Sequence, residues 1–245
     1  MLDLIIPDWP APHWIKAYTT TRVGGFSRAP YNSLNSAMHV GDNLEDVSKN
    51  RQLLQNNLHL TKPIIWLKQV HGNIVISADH PINNFAADAI YSKKEQTVCA
   101  VQTADCLPLL VCSSNSYCVA AIHAGWKGLS NDIIENTIKA LALPTRDILV
   151  WLGPAIGPQA FTVGEQVFQA FLDKDKANEI AFQPIGNKQW LANLYALAQR
   201  RLRKLGITSI YGGNYCTFSD STRFFSFRRD QITGRMLSLI WLDLP

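Results

Sequence analysis

Features that would restrict the protein to particular classes are missing from the sequence. The 245 residues contain five cysteines, an odd number, with no Cys-x-x-Cys pair, which argues against a disulfide framework. No segment approaches the roughly 20 apolar residues needed to cross a bilayer. The chain has no Lys or Arg before its first short apolar stretch, unlike a secretory signal peptide. We therefore expect a soluble, cytoplasmic protein whose thiols are mostly reduced.

Nucleotide-binding fingerprints and a concentrated basic surface are also missing. The sequence has no Gly-x-Gly-x-x-Gly after a predicted strand and no P-loop. Its 23 basic and 19 acidic residues give a net charge of only +4. The densest basic run, over residues 200–204, ends a helical pattern, where cations are favourable. We therefore predict a small-molecule substrate, with no nucleic-acid or membrane partner.

The sequence does have the composition of a folded protein and clear strand and helix patterns. Hydrophobic residues make up 47% and charged residues 17%, which is enough for a substantial core at this length. Nearly continuous apolar runs at Leu107–Cys112 and Cys118–Ile122 are typical of central strands covered on both faces. Hairpin-like strands dominate, with helices between them. The pattern predicts an α+β or layered α/β fold with mixed, largely antiparallel sheets, in a single domain over residues 1–245.

The remaining predicted elements follow from the same periodicities. Strands are predicted at residues 4–6, 15–21, 64–66, 74–77, 88–91, 98–102, 148–152, 209–211, 224–228 and 236–242. Helices are predicted after an N-cap at Asp42 or Asn43, around Ile133–Leu141, and over Glu165–Leu172 and Gln189–Leu205.

Three side chains that can bind metal stand at the ends of predicted strands. His71 lies in a turn, Cys106 lies between two buried strands, and His123 ends an apolar strand. Loops held by rigid strands are common places for functional residues. Each residue also has an ordinary interpretation, such as a solvated histidine or a thiol that packs as a small hydrophobe. Because the three are far apart in sequence, spacing alone leaves both interpretations open.

Seven segments, in order along the chain, together resemble the YfiH family, also called laccase-domain proteins. They are TRVGG (21–25), YNSLN (31–35), QVHG (69–72), TADCLP (103–108), HAGWKG (123–128), GPAIGP (153–158), and FSFRRD with TGR (225–230 and 233–235). The resemblance implies that His71, Cys106 and His123 bind zinc. Lys127 and Phe227 depart from the family pattern, which has Arg and Tyr at these positions.

This ligand set agrees with zinc chemistry. Two imidazoles and a thiolate suit Zn²⁺ and leave a fourth position open for a water or a substrate, as in catalytic sites. Asp105 either orients a ligand or accepts a proton, or is an ordinary turn residue, whereas Asp88 is a candidate hydrogen-bond partner of a ligand. Six histidines with no His-x-His pair cannot supply a multicopper centre. We therefore expect any bound copper to be adventitious.

The resemblance implies a purine nucleoside phosphorylase that acts on adenosine, inosine and methylthioadenosine, with adenosine deaminase activity in the same site. Phosphorolysis needs a phosphate held by cationic donors. Arg22 is the first candidate because the neighbouring glycines let backbone donors approach an anion. The full set of candidate substrate- or phosphate-binding residues is Arg22, Asn35, Gln69, Arg228 and Arg229. Trp126 and Phe26 are candidates for stacking on a purine, and His39 for a substrate contact.

Other activities stay open at this point. Bacterial family members are also called peptidoglycan editing factors, which implies an amidase that removes serine from a UDP-muramoyl-serine precursor. A cysteine hydrolase would use Cys106 as nucleophile and His123 as base, without metal. A zinc-stabilised binding module is the weakest alternative, because three ligands leave the site open. The sequence does not determine the oligomeric state, and we expect a monomer.

Overall fold

The computed structural model describes residues 2–82 and 85–244. Its strands are β1 (Leu4–Ile5), β2 (Ile15–Thr20), β3 (Val75–Ser77), β4 (Ala89–Ser92), β5 (Cys99–Thr103), β6 (Leu107–Ser113), β7 (Val119–Ala124), β8 (Ile148–Leu152), β9 (Thr162–Gly164), β10 (Phe182–Gly186), β11 (Gln189–Ala192), β12 (Ser209–Gly212) and β13 (Met236–Leu242). Its helices are α1 (Leu44–Asn57), α2 (Trp126–Ser130), α3 (Ile133–Leu141), α4 (Glu165–Leu172), α5 (Leu194–Lys204) and α6 (Phe227–Asp230). Within the described ranges, none of these helices combines the length and apolarity that a membrane span requires.

The strands form three sheets. A six-stranded sheet has the order β12-β8-β6-β7-β4-β3, a four-stranded sheet has the order β1-β2-β13-β5, and a small third sheet has the order β10-β11-β9. Paired strands are antiparallel except β3 with β4 and β8 with β12, which are parallel. The predicted α+β fold with mixed, largely antiparallel sheets is confirmed.

The central strand β6 shows how the layers are held together. Successive side chains on a strand point to opposite faces. Leu109 and Val111 therefore pack with the helical layer, which includes α3 and α5. Leu110 and Cys112 pack instead against the four-stranded sheet. All of β6 and β7 is buried, as their continuous apolar sequences predict, so the loops at their ends are fixed by a rigid double-sided core.

Helix α1 covers the outer face of the four-stranded sheet. The Asn43 side chain accepts hydrogen bonds from the backbone N–H groups of Glu45 and Asp46 at 2.9 and 3.1 Å, so it is the N-cap. Leu54 of the helix packs with Leu237 and Leu239 of β13. From one side of the molecule to the other, the order is thus α1, the four-stranded sheet, the six-stranded sheet and the layer that includes α3 and α5.

Several predicted elements differ from the structure. Residues 64–66 form no strand, although Ile64 is buried in the core beneath α1. The predicted strand 224–228 is a buried loop that enters α6, because the Ser226 side chain caps the Arg229 N–H at 3.2 Å. The predicted helix Gln189–Leu205 is divided: its first four residues form β11, and the helix starts only after the N-cap Asn193.

Candidate metal centre

The side chains of His71, Cys106 and His123 converge in space. Their ligand atoms all lie within 4.8 Å of one another. The Cys106 Sγ is 3.8 Å from the His71 Nε2, and the two imidazole rings meet edge to face at 79°. A tetrahedral zinc site separates such ligand atoms by about 3.3–3.6 Å, given the usual Zn–N and Zn–S bond lengths. The donor set therefore fits zinc after small side-chain movements.

The two central strands bring these ligands together. His123 lies on β7 directly opposite Pro108 of β6, and Cys106 immediately precedes β6. Gly125 follows on the same side. A Cβ added to it would lie 2.9 Å from the Cys106 Sγ and 3.1 Å from the His71 Cδ2. A side chain at this position would therefore displace at least one of these two ligands.

Asp88, immediately before β4, holds both histidines. Its fully buried carboxylate accepts a 2.8 Å hydrogen bond from the His123 Nδ1, which leaves the other ring nitrogen of His123 available for a metal. The same carboxylate accepts from the backbone N–H groups of His71 at 2.9 Å, Gly72 at 2.7 Å and Val70 at 3.3 Å. These bonds stabilise the positive φ of 58° at His71. The Asp88 carboxylate thus fixes both the imidazole ring of His123 and the loop that carries His71.

The electrostatics of the cluster favour a thiolate. Burial alone raises the pKa of the Cys106 thiol, but the adjacent His123 and His71 outweigh it and lower that pKa to about 6. Burial alone lowers the pKa of His123, whereas Cys106 and Asp88 raise it, to about 9. The deprotonated sulfur is the form that binds metal.

A cavity of about 210 Å³ opens beside the cluster. The three metal-capable residues and Ala104 line it, and the other lining side chains are polar or aromatic: His39, Gln69, Gln102, Thr103, Phe227 and Arg235. Trp126 and Phe26, the predicted purine-stacking candidates, are not part of this lining. The aromatic ring at the cavity is Phe227, one of the two positions that depart from the family pattern.

The Asp105 carboxylate joins two loops. One oxygen accepts from the Thr217 hydroxyl at 2.6 Å, and the other accepts from the backbone N–H of Arg228 at 2.6 Å. Asp105 also has a φ of 93°, which is rare for a residue with a side chain. These contacts suit a residue that positions the neighbouring Cys106, and a direct catalytic role for Asp105 stays a prediction.

The guanidinium groups of the three predicted phosphate ligands are bound to backbone carbonyls outside the cavity lining. Arg22 donates to Asn32 O at 2.8 Å and to Ser221 O at 3.1 Å. Arg228 donates to Thr162 O at 2.7 Å, and Arg229 donates to the carbonyls of residues 217, 218 and 224. Their assignment to phosphate stays a prediction. Both Nη groups of Arg22 and Arg229, and the Nη1 of Arg228, already have partners.

The other two predicted binding residues lie at or near the cavity. Gln69 lines it and exchanges two hydrogen bonds with the backbone of Gln102, at 2.7 and 2.8 Å. Asn35 is fully buried, and its Oδ1 accepts from the backbone N–H of Arg235 at 2.9 Å. Sequence reasoning did not single out Arg235 or Thr103, although both belong to segments that resemble the YfiH family.

The comparisons with known proteins identify the family. Residues 16–243 match the family described as multi-copper polyphenol oxidoreductase laccase, and the chain belongs to this laccase-domain, YfiH-type family. It is 47% identical over 244 residues to a Haemophilus influenzae protein named purine nucleoside phosphorylase, covering 99% of this chain and 100% of the relative. It is 47% identical over 243 residues to the purine nucleoside phosphorylase YfiH of Escherichia coli K12, covering 99% and 100%.

Solved structures share the fold. A Neisseria meningitidis protein of the DUF152 family aligns with a TM-score of 0.95 at 45% identity, covering 98% of this chain and 99% of that chain. YlmD of Geobacillus stearothermophilus aligns with a TM-score of 0.87 at 28% identity, covering 96% and 94%.

The family description refers to multiple coppers, whereas residues 2–82 and 85–244 contain one group of three or more metal-capable side chains, His71, Cys106 and His123. A multicopper centre requires several such groups rich in histidine. The described residues thus offer one cluster of potential metal ligands, the number that a single ion needs.

Proposed function

We propose that this protein is a zinc-dependent purine nucleoside phosphorylase that acts on adenosine, inosine and methylthioadenosine, with adenosine deamination in the same site. The observation that carries the proposal is the convergence of two imidazoles and one thiol beside an open cavity. The names of the two bacterial relatives support purine nucleoside phosphorylase activity. We expect the enzyme to act on small molecules, as a cytoplasmic monomer.

The residues around the cavity would have separate roles in metal binding and in substrate binding. His71, Cys106 and His123 would hold the zinc ion, and Asp88 would keep His123 in the tautomer that presents its Nε2. When bound, zinc acts as a Lewis acid that polarises an oxygen or nitrogen of a substrate or water. Phe227 is 48% exposed at the cavity, so its ring is available to stack on a purine base.

The direct test incubates metal-replete protein with adenosine and inorganic phosphate. Phosphorolysis breaks the bond between the purine nitrogen and C1′ and joins C1′ to a phosphate oxygen, so chromatography should detect adenine and ribose 1-phosphate. His71→Ala should abolish this turnover, whereas His80→Ala, which changes an exposed histidine, should not. The absence of adenine from zinc-loaded protein would contradict the proposal. Ammonia release without phosphate would identify deamination.

A cysteine hydrolase is the second candidate, because Cys106, His123 and Asp88 also form a thiol–imidazole–carboxylate series. Such an enzyme would keep its turnover after a chelator removes all metal, and the proposed phosphorylase would lose it. UDP-muramoyl-serine belongs in the same assay as a competing substrate. Serine release without nucleoside turnover would favour the editing amidase.

A further inference from the structure

Arg235 is the only arginine or lysine among the described residues that line the cavity. It stands immediately before β13, and its backbone N–H is fixed by Asn35 at 2.9 Å. Its Nη1 donates to the carbonyls of Thr233 and Gly234, both at 2.9 Å. The side chain is therefore anchored at one nitrogen only.

The remaining guanidinium donors of Arg235 are available. Its Nε and Nη2 have no hydrogen-bond partner among the described residues, and neither is among the polar atoms sealed from solvent. Nε and Nη2 form one edge of the planar guanidinium fork, which matches two oxygens of a phosphate group. In Arg22 and Arg229, by contrast, both Nη groups donate to protein oxygens.

Thr103 adds a second polar group that lacks a protein partner. Its hydroxyl makes no hydrogen bond in the described chain, although the residue is 2% exposed and lines the same cavity. Thr103 ends β5 and pairs with Met236 of β13, the residue after Arg235. A buried hydroxyl without a partner is costly. Its oxygen is sealed from solvent, so a rotation of the Thr103 side chain would bring it to an anion in the cavity.

We propose that Arg235, through Nε and Nη2, and the Thr103 hydroxyl form the subsite for inorganic phosphate. The proposal rests on the proposed phosphorolysis, since it assigns the second substrate of that reaction to one end of the cavity. The phosphate would lie beside the cluster of His71, Cys106 and His123, where the nucleoside is attacked. Phe227, whose ring centre is 6.0 Å from the Arg235 Cζ, would place a stacked base close to this subsite.

The test uses three variants of the full chain. Arg235→Gln should raise the KM for phosphate about 10- to 100-fold, the size expected when charge-assisted hydrogen bonds to an anion are lost. Arg235→Lys should recover part of that loss, because it keeps the charge without the fork. Thr103→Val should raise the phosphate KM without lowering thermal stability, since the hydroxyl has no protein partner to lose.

The control is Arg146→Gln, which removes the same charge from a side chain that is 86% exposed. The control should keep the wild-type KM for phosphate. The KM for adenosine and the zinc content should stay at wild-type values in all four proteins. An unchanged phosphate KM in Arg235→Gln and Thr103→Val variants that fold and load zinc normally would overturn the assignment.

A direct binding measurement separates this inference from the proposed function. Inorganic phosphate is titrated calorimetrically into zinc-loaded wild-type protein and into each variant, without nucleoside. If wild-type protein binds phosphate and Arg235→Gln does not, the subsite stands even when no nucleoside is cleaved. If wild-type protein and Arg235→Gln bind phosphate equally, or neither binds, the subsite is refuted even when phosphorolysis occurs.

Discussion

Replacing Asp88 with asparagine should both destabilise the protein and weaken its metal binding. One carboxylate oxygen accepts from the His123 Nδ1 and the His71 N–H, and the other accepts from the N–H groups of Gly72 and Val70. An asparagine amide has one accepting oxygen and one donating NH₂ group. Whichever way the amide is oriented, its NH₂ group faces two donors, so the substitution cannot be absorbed by a flip.

The magnitude follows from those lost contacts. Hydrogen bonds to a charged group contribute about 1.5–3 kcal/mol each, and a buried donor left without a partner is penalised similarly. Because Asp88 is fully buried and the losses at one group are not additive, we expect the free energy of unfolding to fall by about 2–4 kcal/mol. Removing the hydrogen-bond partner of a metal-binding histidine typically lowers metal affinity about 10- to 100-fold.

Two measurements check this prediction. Urea unfolding in excess chelator gives the stability of the metal-free fold, and competition with a chromophoric chelator gives zinc affinity. Asp79→Asn is the matched control: that carboxylate accepts from the Ser92 hydroxyl at 2.6 Å and the Lys93 N–H at 2.9 Å, away from the cluster. It should keep zinc affinity and lose little stability, because the asparagine amide can accept from the Lys93 N–H and donate to the Ser92 hydroxyl. Wild-type zinc affinity in Asp88→Asn would refute the reasoning.

Three further substitutions test other parts of the site. Gly125→Ala should weaken zinc binding at least about tenfold, because its Cβ would meet the Cys106 Sγ. Gly164→Ala, where nothing lies within 4 Å of the added Cβ, should leave zinc affinity unchanged. Equal zinc affinities in the two variants would refute the steric argument. Arg22→Gln should lower the free energy of unfolding by about 1–3 kcal/mol, because hydrogen bonds to backbone carbonyls are lost, and it should leave the phosphate KM unchanged. A raised phosphate KM would show that Arg22 binds phosphate after all. Asp105→Asn should stay nearly as active as wild type, since its amide can still satisfy both partners; a loss in kcat of about a hundredfold or more, the size of acid–base catalysis, would show that the carboxylate acts on a proton.

The parts of the fold that the sequence predicts well are those with strong local signals. Helix α4 has the predicted bounds Glu165–Leu172, and α1 begins after Asn43, one of its two predicted N-caps. The nearly continuous apolar runs of β6 and β7, which predict strands covered on both faces, lie at the centre of the six-stranded sheet. In each case the residue pattern and the tertiary environment favour the same structure.

The parts that it does not predict depend on distant partners. Residues 189–192 continue the periodicity of α5, yet they form β11 because they pair with β9 and β10. Arg235 follows a glycine and a threonine in a segment with no local sign of a ligand site. Its position at the cavity is created by the pairing of β13 with β5. The three metal-capable residues were identifiable as strand-end residues, but their approach to one another depends on the pairing of β6 with β7 and on the hydrogen bonds that Asp88 accepts from His71 and His123.

The place of β13 in its sheet has a consequence for biosynthesis. This strand lies between β2 and β5, although it is made after all three metal-capable residues. During synthesis, the nascent chain therefore already carries His71, Cys106 and His123 before β13 has taken its position between β2 and β5. At that stage the two neighbouring strands have open edges that can pair with other chains. A synthetic peptide spanning β13 could be added to nascent chains stalled at different lengths. Its binding would show at which length β2 and β5 are placed to pair with it.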